Sequence, residues 1–177
     1  MGKGTLIHAL RRHFPEFELS VSATTRPPRS GERDGVDYHF MDEAEFERRV
    51  ASGDFLEHAE YAGNRYGTLK SELARAPGGL VLEIEVQGAR QVREALPEAV
   101  QVFIAPPSPE VLRERLLRRG TDQPNQIARR LEQAEEELRA QDEFQYVIEN
   151  DDLDRAAAEL VDLVATIWPR PNRGETT

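Results

Sequence analysis

The sequence predicts an α/β fold: a parallel-sheet core, an inserted subdomain of mixed helix and antiparallel strand, and an arginine-rich helical segment. Three observations carry this. The apolar run Leu80-Val81-Leu82-Glu83-Ile84-Glu85-Val86 ends in acids and leads through Gly88 into a helix. That is the pattern of a buried parallel strand whose C-terminal end opens into a crevice. The run Phe55 to Tyr61 alternates, and Gly63-Asn64 turns it into Arg65-Tyr66-Gly67-Thr68, which is hairpin character of a different kind. Arg113, Arg115, Arg118, Arg119, Arg129 and Arg130 lie on two helices joined by Gly120-Thr121-Asp122-Gln123-Pro124.

Composition narrows the chemistry. A chain of 177 residues can bury the core of one ordinary domain with small insertions. The formal net charge of −10 argues against a long nucleic acid or an anionic membrane as partner. An anionic small ligand then needs a local basic cluster working against the global field. Zero cysteines exclude disulfides, thiol catalysis and thiolate metal sites without fixing the compartment. His8, His13, His39 and His58 show no metal-ligand spacing, and no apolar run approaches membrane length. Lysine occurs only at Lys3 and Lys70, which gives Lys3 in Gly2-Lys3-Gly4-Thr5 more weight than generic surface charge.

Taken in order, Met1 to Thr5 reads as the second half of a phosphate-binding loop, G-x-x-x-x-G-K-[ST], with Thr5 displaced one place by Gly4. In such loops backbone N–H groups cradle phosphates, the lysine reaches the outer ones and the hydroxyl serves Mg²⁺. Leu6, Ile7, Leu10 and Phe14 follow helical spacing until Pro15. The stretch Ser20 to Phe40 sets Arg26 and Arg29 three apart across Pro27-Pro28, then Gly31, Gly35 and Tyr38. Proline stiffens that stem, and guanidinium forks match phosphate oxygens bidentately. A solvated Arg/Pro/Gly turn is the other reading of those residues alone. Asp42-x-x-Glu45 is a cap signature for a helix through Phe46 and Val50 to Gly53. Residues 22–73 thus form the inserted subdomain.

Beyond it, Glu83 and Glu85 share one face of the strand at 80–86, either as site carboxylates or as acids on an exposed face. Val100 to Ala105 is a further strand, and Ser108-Pro109-Glu110 starts a helix. The arginine-rich stretch is either a solvated face or a mobile lid. A helix from Gln126 to about Ala140 and a strand at Tyr146-Val147-Ile148 follow. Asn150-Asp151-Asp152 then caps a last helix, with Leu153, Leu160, Val161, Val164 and Trp168 on one side.

The order of these motifs resembles the guanylate kinase family across almost the whole chain. They are GKGT, SVSATTRPPRSGE..G.DY.F, FLEHAEY.GN.YGT, a strand followed by QGA, APPS, RGTD and NDD. The resemblance implies a three-layer P-loop NTPase-type fold with a five-stranded parallel core, a GMP-binding insertion and a helical lid. The divisions would be core 1–21, 74–112 and 139–169, insertion 22–73, lid 113–138, and a disordered tail at 170–177. It implies Mg²⁺-dependent transfer of the ATP γ-phosphoryl group to GMP, in the cytoplasm, with no nucleic acid or membrane partner. By the same resemblance Ser22 and Glu57 read guanine, Arg26, Arg29, Tyr38 and Tyr66 hold the GMP phosphate, and Thr68 and Glu85 complete that site. Gly2, Lys3, Gly4, Thr5, Arg115, Arg119 and Asn150 would serve ATP, with Thr5 and Glu83 on the metal side. Lys3, Arg26, Arg119 and Arg130 would stabilise the moving charge.

Three departures stand out. Glu83-x-Glu85 replaces the family's usual Asp-x-Asp, each side chain longer by one carbon, roughly 1.5 Å. The lid stretch Asp122-Gln123-Pro124-Asn125-Gln126 lacks the acids common there. The chain also opens inside the loop, which predicts that a first glycine and a buried strand, roughly ten residues, precede Met1 and that the chain as written is impaired without them. Two other readings remain open at this stage: a non-catalytic binding module built on the same fold, and an inactive fragment of the enzyme.

Overall fold

A computed structural model describes residues 2–118 and 136–168. Helix α1 (Lys3–His13) starts from Gly2, whose φ of 95° suits glycine, and the predicted stripe Leu6, Ile7, Leu10 and Phe14 is buried, together with Ala9. Strand β1 (Glu18–Leu19) comes next. Strands β2 (Ala23–Thr24) and β3 (His39–Phe40), helix α2 (Glu43–Ala51), strands β4 (Phe55–Tyr61) and β5 (Asn64–Leu69) and helix α3 (Ser71–Arg75) follow. Strand β6 (Leu80–Val81), helix α4 (Val86–Ala95), strand β7 (Val102–Ala105) and helix α5 (Pro109–Arg118) come next. After residue 136 lie strand β8 (Tyr146–Glu149) and helix α6 (Leu153–Ile167).

The core is parallel, as predicted. β1 pairs with β6 and β7 with β8, while β3-β2-β5-β4 form a separate mixed sheet. Among the described residues the core strands make two two-stranded ladders rather than one five-stranded sheet, and the strand expected ahead of Met1 lies outside those residues. The predicted strand at 80–86 is also shorter. After Ser20 donates to the Val81 carbonyl at 3.0 Å, Val21 turns its N–H to the buried Glu72 carboxylate at 2.7 Å, and the ladder stops. Leu82 to Glu85 run on to the start of α4, where Glu85 is the N-cap residue.

Leu6, Leu10, Phe14, Phe17, Ile148, Ala156, Leu160 and Val164 form one core, with α1 and α6 packed on the ladders. At roughly 1.5–3 kcal/mol for each large apolar side chain removed from water, this cluster is the main support of that half. Of the residues expected on the inner side of α6, Leu153 and Trp168 are exposed, because they sit at the two ends of the helix. Trp168 still meets the edge of the Phe17 ring at 5.6 Å.

The mixed sheet has its own core of Ala23, Phe46, Phe55 and Leu69, with Phe46 stacked on Phe55 at 4.5 Å. The hairpin turn is displaced by one residue from the predicted Gly63-Asn64. Tyr61 pairs with Asn64, so Ala62 (φ 51°) and Gly63 (φ 75°) are the two loop residues. Both central positions of such a turn need positive φ, and the Asn64 amide donates to the Ala62 carbonyl at 3.3 Å across it. The Asp42 cap forms as read, its carboxylate accepting from Glu45 N at 2.7 Å. Asp42→Ala should lower stability by about 1 kcal/mol, read from the urea midpoint at unchanged slope. No described helix is long and apolar enough to cross a membrane.

Candidate functional site

The mixed sheet brings two groups of predicted residues onto one face. Glu57 follows a register irregularity in β4 and is only 4 % exposed. The Thr68 hydroxyl, on β5, donates to its carboxylate at 2.7 Å. Burial pushes the Glu57 carboxyl above the ordinary carboxylate range, the bonds from Thr68 oppose this, and the charge of Glu85 adds to it. Two residues from Thr68 on the same face of β5 stands Tyr66, whose ring meets that of Tyr38. Arg26 stands over the Tyr38 ring at 5.2 Å and the Phe40 ring at 5.8 Å, and the Tyr38 and Tyr66 rings meet at 6.2 Å. Ser22 is half-buried where β1 gives way to β2, and its carbonyl accepts from His39 N at 2.9 Å.

One residue of this cluster was not legible as a partner. The Arg26 guanidinium donates to both oxygens of Glu32, at 2.8 and 3.0 Å, and Arg29 N donates to the same carboxylate at 2.7 Å. These bonds from Arg26 and Arg29 hold the Glu32 carboxyl below its usual range. The Arg29 side chain is exposed. Glu32 thus closes the RPPRSGE loop on itself and presents two anionic oxygens to the fork of Arg26.

A second cluster forms where α1 meets the start of α4. Lys3 Nζ donates to Glu85 Oε2 at 3.3 Å and to the Ile84 carbonyl at 3.4 Å. Burial pulls the Lys3 ammonium down, but the charges of Glu85, Glu137 and Glu83 outweigh it and hold it above its ordinary value. Glu137, in a helical stretch at residues 136–139, comes close enough to Glu85 for their charges to interact. Burial and the Glu85 charge push Glu137 up to about 8. Although burial favours protonation of Glu85, Lys3 and Glu137 keep it below its usual range. Burial and mutual repulsion thus raise Glu137, while the Lys3 charge keeps Glu85, which faces it, low. Glu137 was missed because Glu135-Glu136-Glu137 reads as a solvated helix face.

Thr5 and Gly4 are exposed in the first turn of α1, and the Glu83 side chain is exposed beyond β6. Gly2 lies so close to the buried Asn150 that a Cβ there would meet its Nδ2 at 2.6 Å. Arg115 lies on α5, whereas Arg119, Arg130 and most of the predicted lid and tail fall outside the described residues. Among the described residues no three or more His, Asp or Glu are grouped to hold a metal ion.

Comparison with known proteins gives a consistent result. The family model "Guanylate kinase" matches residues 1–167. A guanylate kinase of Synechococcus sp. (strain CC9311) is 55 % identical over 163 residues, 90 % of this chain and 86 % of that protein. One from Frankia casuarinae is 54 % identical over 167 residues, 93 % of this chain and 91 % of its own. The crystal structure of guanylate kinase from Anaplasma phagocytophilum superposes with a TM-score of 0.73 at 33 % identity, covering 92 % of this chain and 81 % of that one.

Proposed function

The chain belongs to the guanylate kinase family, and on that premise we propose that it transfers the terminal phosphoryl group of ATP to GMP, giving GDP and ADP. The observation that carries this reading is the spacing on β5. Thr68 holds Glu57, and Tyr66, on the same face, meets the Tyr38 ring over which Arg26 stands. Two residues of strand span about 7 Å, a separation suited to a base edge at one end and a phosphate at the other.

At the base end, the Glu57 carboxylate accepts from the N1–H and exocyclic amine of guanine, with Ser22 beside it. Adenine offers no N1–H. At the other end Arg26, Arg29, Tyr38 and Tyr66 hold the GMP phosphate, which takes the place of Glu32 on the Arg26 fork. Arg29→Lys keeps the charge but loses the fork, so it should weaken GMP binding by about tenfold. Titration calorimetry with GMP checks this, and unchanged affinity would return Arg29 to a solvated loop.

Lys3 reaches the outer phosphates of ATP, Gly2, Gly4 and Thr5 line the same end of α1, and Asn150 lies towards the adenine. Arg115, Arg119 and Arg130 close on the phosphates from the lid side. Hard oxygen donors suit Mg²⁺, which needs only one or two protein oxygens beside nucleotide phosphates and water. The Thr5 hydroxyl and the Glu83 carboxylate, both exposed next to Lys3, fit that requirement. Bound there, Mg²⁺ neutralises phosphate charge. Glu85 orients Lys3 and faces the guanine side. Transfer is direct, and positioning plus cations on the developing charge supply most of the rate. The reaction is cytoplasmic purine nucleotide metabolism. The test is ADP release from ATP and Mg²⁺ on adding GMP, with GDP identified as the second product. Release that does not depend on GMP would refute the reading.

A further inference from the structure

The QGA motif at the start of α4 has no role in the reading above, and its neighbours suggest one. Gly88 packs against the guanine-reading carboxylate: a Cβ at this position would meet Glu57 Oε2 at 2.4 Å and its Cδ at 3.1 Å. Gly88 is an ordinary helical residue, so its missing side chain, not its backbone freedom, is what the site uses. One turn further, Gln91 grips the strand that carries Glu57. His58 N donates to Gln91 Oε1 at 3.0 Å, and Gln91 Nε2 donates to the His58 carbonyl at 2.7 Å. β4 is the edge strand of its sheet, so this side-chain amide takes the place of a neighbouring strand at one residue. The two contacts bracket the reader: Gln91 fixes the backbone just after Glu57, and Gly88 leaves room for its carboxylate while Thr68 holds the other oxygen.

We propose that Gly88 and Gln91 are specificity-determining positioning residues that aim the Glu57 carboxylate at the amino edge of guanine. The inference rests on the GMP-site reading and adds to it a cause, within α4, for the orientation of the base reader. Because the N-cap residue of α4 is Glu85, the partner of Lys3, the same helix ties base reading to the phosphate-side lysine.

In Gly88→Ala the flexible end of Glu57 is displaced while the fold is kept, since alanine favours helix over glycine. In Gln91→Leu the edge of β4 is released. The probe is the ratio of affinities for GMP and inosine monophosphate, which lacks the exocyclic amine, measured by calorimetry on the full chain with melting temperature recorded. A charge-assisted bond to that amine gives the parent about a ten- to hundredfold preference for GMP. Each variant should lose about tenfold of that preference, and Gly88→Ala should do so without a lower melting temperature. Arg90→Ala, which breaks the pair of α4 with Glu143, should keep the parent ratio. A general loss of folded protein cannot move this ratio, because both ligands would suffer equally. If Gln91→Leu does not fold, Gly88→Ala decides alone. If the parent prefers GMP and the folded variants keep its preference, the site reading stands and this inference is wrong. If the parent does not bind GMP, both fall.

Discussion

Glu57→Gln should lower kcat/KM for GMP by about 10³-fold while leaving the protein folded. The amide can still accept from Thr68, so the hydrogen bond at 2.7 Å survives. What is lost is a charged acceptor for two guanine donors, and the amide's own N–H₂ faces them unpaired. The pH dependence has a definite sign. Glu57 is raised by burial, so its folded pKa lies above its unfolded one. The stability linked to it is present below the unfolded carboxylate pKa and is lost as pH rises through the folded pKa. GMP binding runs the other way, because it needs the carboxylate ionised: affinity should weaken as pH falls through that raised pKa. In Glu57→Gln both dependences should flatten. Calorimetric GMP affinity and urea unfolding, each across pH, measure the two. An intact GMP preference in the amide variant would remove Glu57 from the site.

Lys3→Met should lower kcat by about 10³-fold with the Kd for GMP changed less than about threefold. Methionine keeps the length and apolar stem of lysine and removes only the ammonium, so any loss reports the charge. Lys3 is 30 % exposed at its side chain and its one described carboxylate contact is Glu85. Without it, Glu85 would rise towards Glu137, because the lysine charge and hydrogen bond that hold it down are gone. Steady-state kcat with saturating GMP and ATP is the measurement. A kcat within tenfold of the parent would make Lys3 a structural partner of Glu85 rather than a phosphate ligand.

The features legible in the sequence were those set by short-range chemistry. The Asp42 cap, the apolar stripe of α1, the hairpin and the parallel pairing of the core follow from local spacing. Order within the motifs placed Arg26, Tyr38, Glu57, Tyr66 and Thr68 on one list, and the sheet brings them onto one face. Partnerships across the chain were hidden. Glu137 beside Glu85 looked like a solvated acid, because burial there is made by elements far apart in sequence, while Glu32, only six residues from Arg26, looked like part of a turn. The strand at 80–86 ended early for a similar reason: Val21 N finds a side-chain acceptor in Glu72, fifty-one residues on, which no local pattern announces. The displaced hairpin turn reflects Ala62 accepting a positive φ that residue statistics assign to glycine or asparagine.

The central claim is that the base reader selects guanine for phosphoryl transfer. The direct measurement compares kcat/KM for GMP and AMP as acceptors, with ATP and Mg²⁺ at saturation and ADP release as the signal. A buried carboxylate left without a donor should reject AMP by about 10⁴-fold or more, so the expected result is GMP-dependent ADP release with AMP near background. Comparable kcat/KM for the two nucleotides would contradict it.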